Sequence, residues 1–134
     1  MAIKRYGVEG SIGTGGTRLP FARATSAGGF LFVSGQTPMV DGQIIEGDID
    51  TQARVAIQNC VDIMAEAGFT LADVVHVKVI LTDAAYFHPF NAVFKEFFGE
   101  HPPSRICQVC DLVIDVKVEV DVTCYREDRA GSNA

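Results

Sequence analysis

No apolar run in this chain approaches the roughly 20 residues that a membrane-crossing helix needs, so no transmembrane span is expected. No apolar stretch follows Met1-Ala2-Ile3-Lys4-Arg5 either, so no secretory signal is expected and the protein reads as cytosolic. Basic clusters are missing too: 11 Lys and Arg lie scattered among 17 Asp and Glu, for a net charge of -6. Affinity for nucleic acid comes mostly from neutralising phosphates, so neither nucleic acid nor a membrane surface is an expected partner. Cysteines number four, Cys60, Cys107, Cys110 and Cys124, and no second Cys/His pair stands at ligand spacing to complete a zinc site. Positions 107 and 110 would face opposite sides of a regular strand, so buried, reduced thiols are expected and no metal. The histidines, His76, His88 and His101, read as a strand residue, a helix cap and a loop residue. None has a nearby Cys or Ser that would make a nucleophile–base pair. Gly13-Thr14-Gly15-Gly16-Thr17 has the glycines of a phosphate loop without a preceding strand or a following Lys-Ser/Thr.

What is present is enough for one packed domain: 134 residues, of which 48% are hydrophobic. Residues 1–134 read as a single domain with its core at about 20–126, a flexible glycine-rich segment over 1–19 and a frayed tail over 126–134. Phe21 to Thr25 and Phe30 to Gly35 are strand candidates about a Gly28-Gly29 turn. Asp41-Gly42 marks a hairpin between Met39-Val40 and Gln43-Ile44-Ile45. Asp48 or Asp50 caps a helix from about Thr51 to Ala67 with Ala53, Ala56, Cys60, Ile63, Met64 and Ala67 on one face, and Gly68 ends it. Val74 to Leu81 reads as a strand, and Asp83 as the cap of a short turn. Pro89 suits the first position of a second helix that ends at Gly99 and buries Phe90, Phe94 and Phe97 or Phe98. Arg105 to Val109 and Val116 to Tyr125 supply the last strands.

The order β-β-α-β-α-β-β predicts an α+β fold, a mixed sheet with both helices on one face. Phe30, Phe32, Val118, Val120 and Val122 suggest that the other face is apolar, and such a face usually finds another subunit.

Arg105 opens a run that reads as a buried strand, where an arginine is almost never left unpaired. Its partner is either a protein carboxylate or an anionic ligand, and a guanidinium fork grips a small carboxylate with two parallel hydrogen bonds. Glu119 lies in the acidic strand Val116-Lys117-Val118-Glu119-Val120-Asp121-Val122. It is either a group for acid/base work or the ion-pair partner of Lys117.

These segments resemble the RidA/YjgF family of imine deaminases. The match runs from about residue 20 to 126 through Phe32-Val33-Ser34-Gly35-Gln36-Thr37-Pro38, the helix to Gly68, Asn91 to Phe98, Pro103 to Cys107, and Val116 to Val120. The resemblance implies a chorismate mutase-like trimer with active sites in the clefts between subunits. It implies cofactor-free hydrolysis of 2-imino or 2-enamino acids to 2-keto acids and ammonia. Residue by residue, it implies that Arg105 holds the substrate carboxylate and that Glu119 handles the attacking water. The main-chain carbonyl of Cys107 positions that water, while Ser34, Gly35, Asn91 and Phe21 line the pocket. One departure stands out: Phe21 occupies a position where many deaminating members carry tyrosine. The 107–126 stretch also resembles relatives in pyrimidine breakdown and 2-aminomuconate deaminases. A 2-aminomuconate-type deaminase and a non-enzymatic binder of small acids are therefore the alternatives.

Overall fold

Strand β2 (Ala24–Ala27) and strand β3 (Phe30–Val33) are joined by Gly28 and Gly29, both at positive φ (56° and 95°). Two left-handed residues in a row give the turn whose twist matches paired antiparallel strands. The structure, a computed structural model, describes residues 2–8 and 16–127. Within 2–8 it shows a strand that composition did not announce, β1 (Lys4–Tyr6), paired antiparallel with β2. Residues Gly13 to Gly15 and 128–134 lie outside the described residues, so the glycine run and most of the tail are untested. Phe21 precedes β2 rather than belonging to it. The Asp41-Gly42 hairpin forms as expected between β4 (Met39–Val40) and β5 (Gln43–Ile44).

Helix α1 (Ile49–Glu66) starts where the Asp48 carboxylate accepts the Thr51 N–H at 2.9 Å, satisfying one of the first-turn donors that have no partner within the helix. Its stripe of Ala53, Ala56, Ile57, Cys60, Ile63 and Met64 is buried, and Ala67 only partly so. Helix α2 (Phe87–Phe98) begins two residues earlier than Pro89 suggests. Pro89 is its third residue, which costs nothing because a helix's first four N–H groups have no partner within the helix. Tyr86, at the end of the short turn capped by Asp83, precedes α2, so His88 lies inside the helix. Phe90, Val93 and Phe98 are buried, whereas Phe94 and Phe97 are partly so.

The remaining strands are β6 (Val74–Leu81), β7 (Ser104–Val109) and β8 (Val118–Tyr125), the last shorter by two residues than its apolar run. The six-stranded sheet has the order β1-β2-β3-β8-β6-β7. Only β6 and β7 run parallel, with α2 as their crossover. The architecture is α+β with a mixed sheet and both helices on one face. Leu31, Val33, Val77, Val79, Leu81, Val118, Val120 and Val122 point into the core beneath them.

Two expectations about faces are corrected. Val118, Val120 and Val122 belong to the covered face, and the uncovered one takes its apolar character from Phe30, Phe32, Ile106 and Tyr125, all exposed. Strand β7 is not buried: it is a sheet edge with Ile106 and Val109 more than half exposed. Apolar composition alone cannot separate an edge from a central strand, because that depends on which strand lies next to it.

Candidate functional site

Pairing in a sheet puts directly opposed residues on one face. Arg105 pairs with Val77, and Cys107 with Val79, so both side chains lie on the helix side, beneath α2. The Arg105 guanidinium carbon sits 4.8 Å from the Phe94 ring centre, 5.7 Å from Phe90 and 5.8 Å from Phe87. Phe87, Phe90 and Phe94 share a helix face by their spacing, so α2 lays three rings against the charge. Ring faces attract cations but leave the guanidinium N–H groups without acceptors. Among the described residues the Arg105 guanidinium makes no hydrogen bond or ion pair. It borders a pocket of about 350 Å³ with Asn91, Phe94, Lys95, Phe98 and Pro102. Asn91, the fifth residue of α2, has a buried side-chain oxygen with no partner in the same pocket. The site thus presents the Arg105 guanidinium, a second cation in the Lys95 ammonium, and an unused amide oxygen. Cys107 is half-buried, and burial pushes its thiol up while the Arg105 charge opposes, so the thiol stays protonated at neutral pH and packs as an apolar group.

Glu119 occupies different ground. It pairs with Ile80 and alternates with the buried Val118 and Val120, so it projects from the uncovered face. Burial pushes its carboxyl up from the usual range, the Asp121 charge two residues along adds to this, and Lys78 opposes. Asp121 is raised in the same way, by burial, with Lys78 and His76 opposing. The ion pair with Lys117 does not form: that ammonium donates to the Gly47 carbonyl at 3.0 Å.

Gly35 explains the closeness of the loop to Glu119. Phe32 pairs with Thr123, whereas Gln36 pairs with Val120 through two hydrogen bonds of 2.7 and 2.9 Å. The β3 side therefore carries one residue more than β8 over this interval, a bulge, and it falls at Ser34-Gly35. A Cβ at Gly35 would run into the Glu119 carboxylate, so only glycine leaves that group its place. Ser34 Oγ donates to the Ala22 carbonyl at 2.7 Å, tying the loop before β2 to the same spot. Phe21, half exposed, lines a second cavity of about 510 Å³ there.

The sequence-derived residues thus form two groups. Arg105 and Cys107 lie under α2 and Asn91 on it, and Glu119, Gly35, Ser34 and Phe21 lie on or beside the uncovered face. His76 Nδ1 is 2.8 Å from Ser104 Oγ, a pair that sequence separation hid. That hydroxyl lies 3.0 Å from the Val75 carbonyl as its donor, which turns its proton away from the imidazole.

A family model described as Endoribonuclease L-PSP matches residues 16–126. This protein belongs to the RidA/YjgF family. Among curated members, a RutC family protein of Pyrococcus horikoshii is 40% identical over 111 residues, 81% of this chain and 88% of that protein. TdcF of Escherichia coli, provisionally named a reactive intermediate deaminase, is 35% identical over 113 residues, 80% of this chain and 87% of its own. The crystal structure of TdcF with bound serine superposes with a TM-score of 0.79 at 32% identity, covering 92% of this chain and 98% of that one. Yeast Mmf1 superposes at 0.84 with 29% identity, covering 93% and 99%. The RidA fold is thereby shared over nearly the whole chain.

Sequence reading missed the phenylalanine cradle of Arg105 and the presence of Lys95. The spacing of Phe87, Phe90 and Phe94 is visible, but helical spacing of rings reads first as core. It also missed Arg5 and Arg18, thirteen positions apart in a stretch that carries no periodic pattern.

Proposed function

We propose that this RidA-family protein hydrolyses 2-imino and 2-enamino acids to 2-keto acids and ammonia, without a cofactor, at sites shared between the chains of a homotrimer. The observation that carries this reading is Arg105: a guanidinium held against three rings, beside a pocket, with no anionic partner among the described residues. A substrate carboxylate would accept its two parallel N–H bonds. The provisional name of TdcF and the serine in its crystal structure, itself an α-amino carboxylate, are consistent with such a ligand.

The chemistry needs little else. With the carboxylate held, the adjacent C=N carbon is fixed for attack. Glu119, with its raised proton affinity, takes a proton from water as the oxygen adds to that carbon. The C–N bond of the resulting carbinolamine breaks as the proton held by Glu119 passes to the departing nitrogen; the hydroxyl, becoming the keto oxygen, gives its own proton back to the Glu119 carboxylate, which releases it to solvent as ammonia and the 2-keto acid leave. The Cys107 carbonyl is the proposed acceptor that orients the water. An iminium carbon is already electrophilic, so polarisation by a metal ion is not required.

Arg105 and Glu119 project from opposite faces of one sheet and cannot meet within a chain. The exposed apolar side chains on the uncovered face favour burial against further copies, and a head-to-tail ring of three brings one chain's β7 side to another's β8 and Phe21 side. Two measurements test the reading together: light scattering, and ammonia release from freshly generated 2-iminobutanoate with and without chelator. A trimeric mass and chelator-resistant acceleration over spontaneous hydrolysis are expected. A monomer would remove the shared site. A trimer that binds 2-oxobutanoate but does not accelerate hydrolysis would make the protein a binder of small acids.

A further inference from the structure

The cavity of about 510 Å³ beside Phe21 plays no part in the chemistry above, yet its lining is unusual for this chain. Arg5 and Arg18 both border it, with Val8, Leu19, Pro20 and Phe21 as apolar wall. No acidic residue is among the described residues around it, in a chain of net charge -6. Its volume falls in the range of small-molecule sites.

Position ties the cavity to Glu119. Arg5 pairs with Thr25, Thr25 with Phe32, and Phe32 with Thr123, so Arg5 projects from the face that carries Glu119. The Ala22 carbonyl is bonded to Ser34, whose neighbour Gly35 lies against the Glu119 carboxylate. Phe21 therefore lines the cavity on the side where Ala22 is tied to the Ser34-Gly35 loop beside that carboxylate. Its ring, without a hydroxyl, offers nothing polar there. Arg18 is fixed by donating from Nε and Nη2 to the Val8 carbonyl at 3.2 and 3.0 Å. Among the described residues no hydrogen bond or ion pair holds the Arg5 guanidinium.

We propose that this cavity is the far end of the substrate site and receives a second anionic group, so that the preferred substrates are 2-imino acids with a distal carboxylate. The inference rests on the deaminase reading and deepens it. One end of the substrate is held by Arg105, the reacting carbon lies at Glu119, the carbon chain runs over Phe21, and the distal carboxylate meets Arg5 and Arg18. The apolar wall accepts any hydrocarbon chain, and the arginines at its end favour an anionic tail over a neutral one and repel a cationic one.

The test uses two imines with the same six-carbon chain, generated by an amino-acid oxidase from 2-aminoadipate and from norleucine. Wild type should favour 2-iminoadipate over 2-iminohexanoate in kcat/KM by about tenfold or more, the worth of one charge-assisted hydrogen bond. Arg5→Gln should lower that ratio severalfold, what is left of it resting on Arg18. Calorimetric Kd values for 2-oxoadipate and 2-oxohexanoate should follow the same pattern. Equal use of the two imines by wild type, or a preference that Arg5→Gln leaves intact, would overturn the inference and leave the deaminase reading standing. If neither imine is hydrolysed, the deaminase reading fails. The Kd ratio, and its fall in Arg5→Gln, then decides the distal site alone.

Discussion

Arg105→Ala should fold as wild type does and lose about 30- to 5,000-fold in turnover of 2-iminobutanoate. The range follows from the roughly 2–5 kcal/mol typical of truncating one partner of a desolvated, hydrogen-bonded charge pair. The fold should survive because the Arg105 guanidinium makes no hydrogen bond or ion pair with any described residue. What it loses is attraction to three rings, the exposed Phe87, the buried Phe90 and the part-buried Phe94, a modest quantity. Arg105→Lys is the sharper variant. An ammonium keeps the charge but cannot make the planar two-bond grip, so it should recover only a small part of the rate. Circular dichroism with steady-state kinetics checks both. Wild-type turnover in Arg105→Ala would remove the clamp, and full recovery in Arg105→Lys would mean that charge suffices without fork geometry.

Glu119→Gln should behave oppositely in two assays. Turnover should fall by roughly 10²–10⁴-fold, the usual worth of a placed acid/base group, while binding of 2-oxobutanoate stays near that of wild type. Stability should rise at neutral pH. Burial and the Asp121 charge hold the Glu119 carboxyl above its usual range in the folded chain. The folded state therefore keeps this proton to a higher pH than the unfolded state does. The favourable contribution is complete below the ordinary glutamate range and is lost as pH rises through the raised folded value. An amide is free of that loss. Melting temperatures of the two proteins should converge in acid and separate toward neutrality, with Glu119→Gln the higher. A lower melting temperature for the variant at neutral pH would show that a cation holds Glu119. An unaltered rate would place water activation elsewhere.

How much of this was legible in the sequence depends on the range of the interactions. Gly28-Gly29, Asp41-Gly42, Asp48 and Gly68 mark their turns and helix ends correctly because each acts within a few residues through backbone conformation or one short hydrogen bond. The Val118, Val120 and Val122 alternation was equally visible, but its direction was not. Which face carries the helices is decided by α1 and α2 packing from elsewhere in the chain. Strand β1 is three residues long and lacks any alternating pattern; pairing with β2 defines it. Residues of the candidate site were identifiable one at a time from the family resemblance. Their division was hidden, because the side on which Arg105 or Glu119 projects follows from its register with β6. Gly35 shows the same dependence on pairing, since the extra residue on the β3 side is what brings the loop against Glu119.

That division has a genetic consequence. If the clamp of one chain works with the carboxylate of the next, a chain carrying Arg105→Ala and one carrying Glu119→Gln are each inactive for a different reason. Mixed in one ring, they place an intact Arg105 opposite an intact Glu119 at one junction. Random reassembly of equal amounts should restore about a quarter of the wild-type sites, given a closed three-membered ring. Two null alleles of this gene would then complement each other, and a double mutant on a single chain would rescue neither. Recovery that stays at zero after subunit exchange, with mixed rings confirmed by mass spectrometry, would place both groups in one chain's own site.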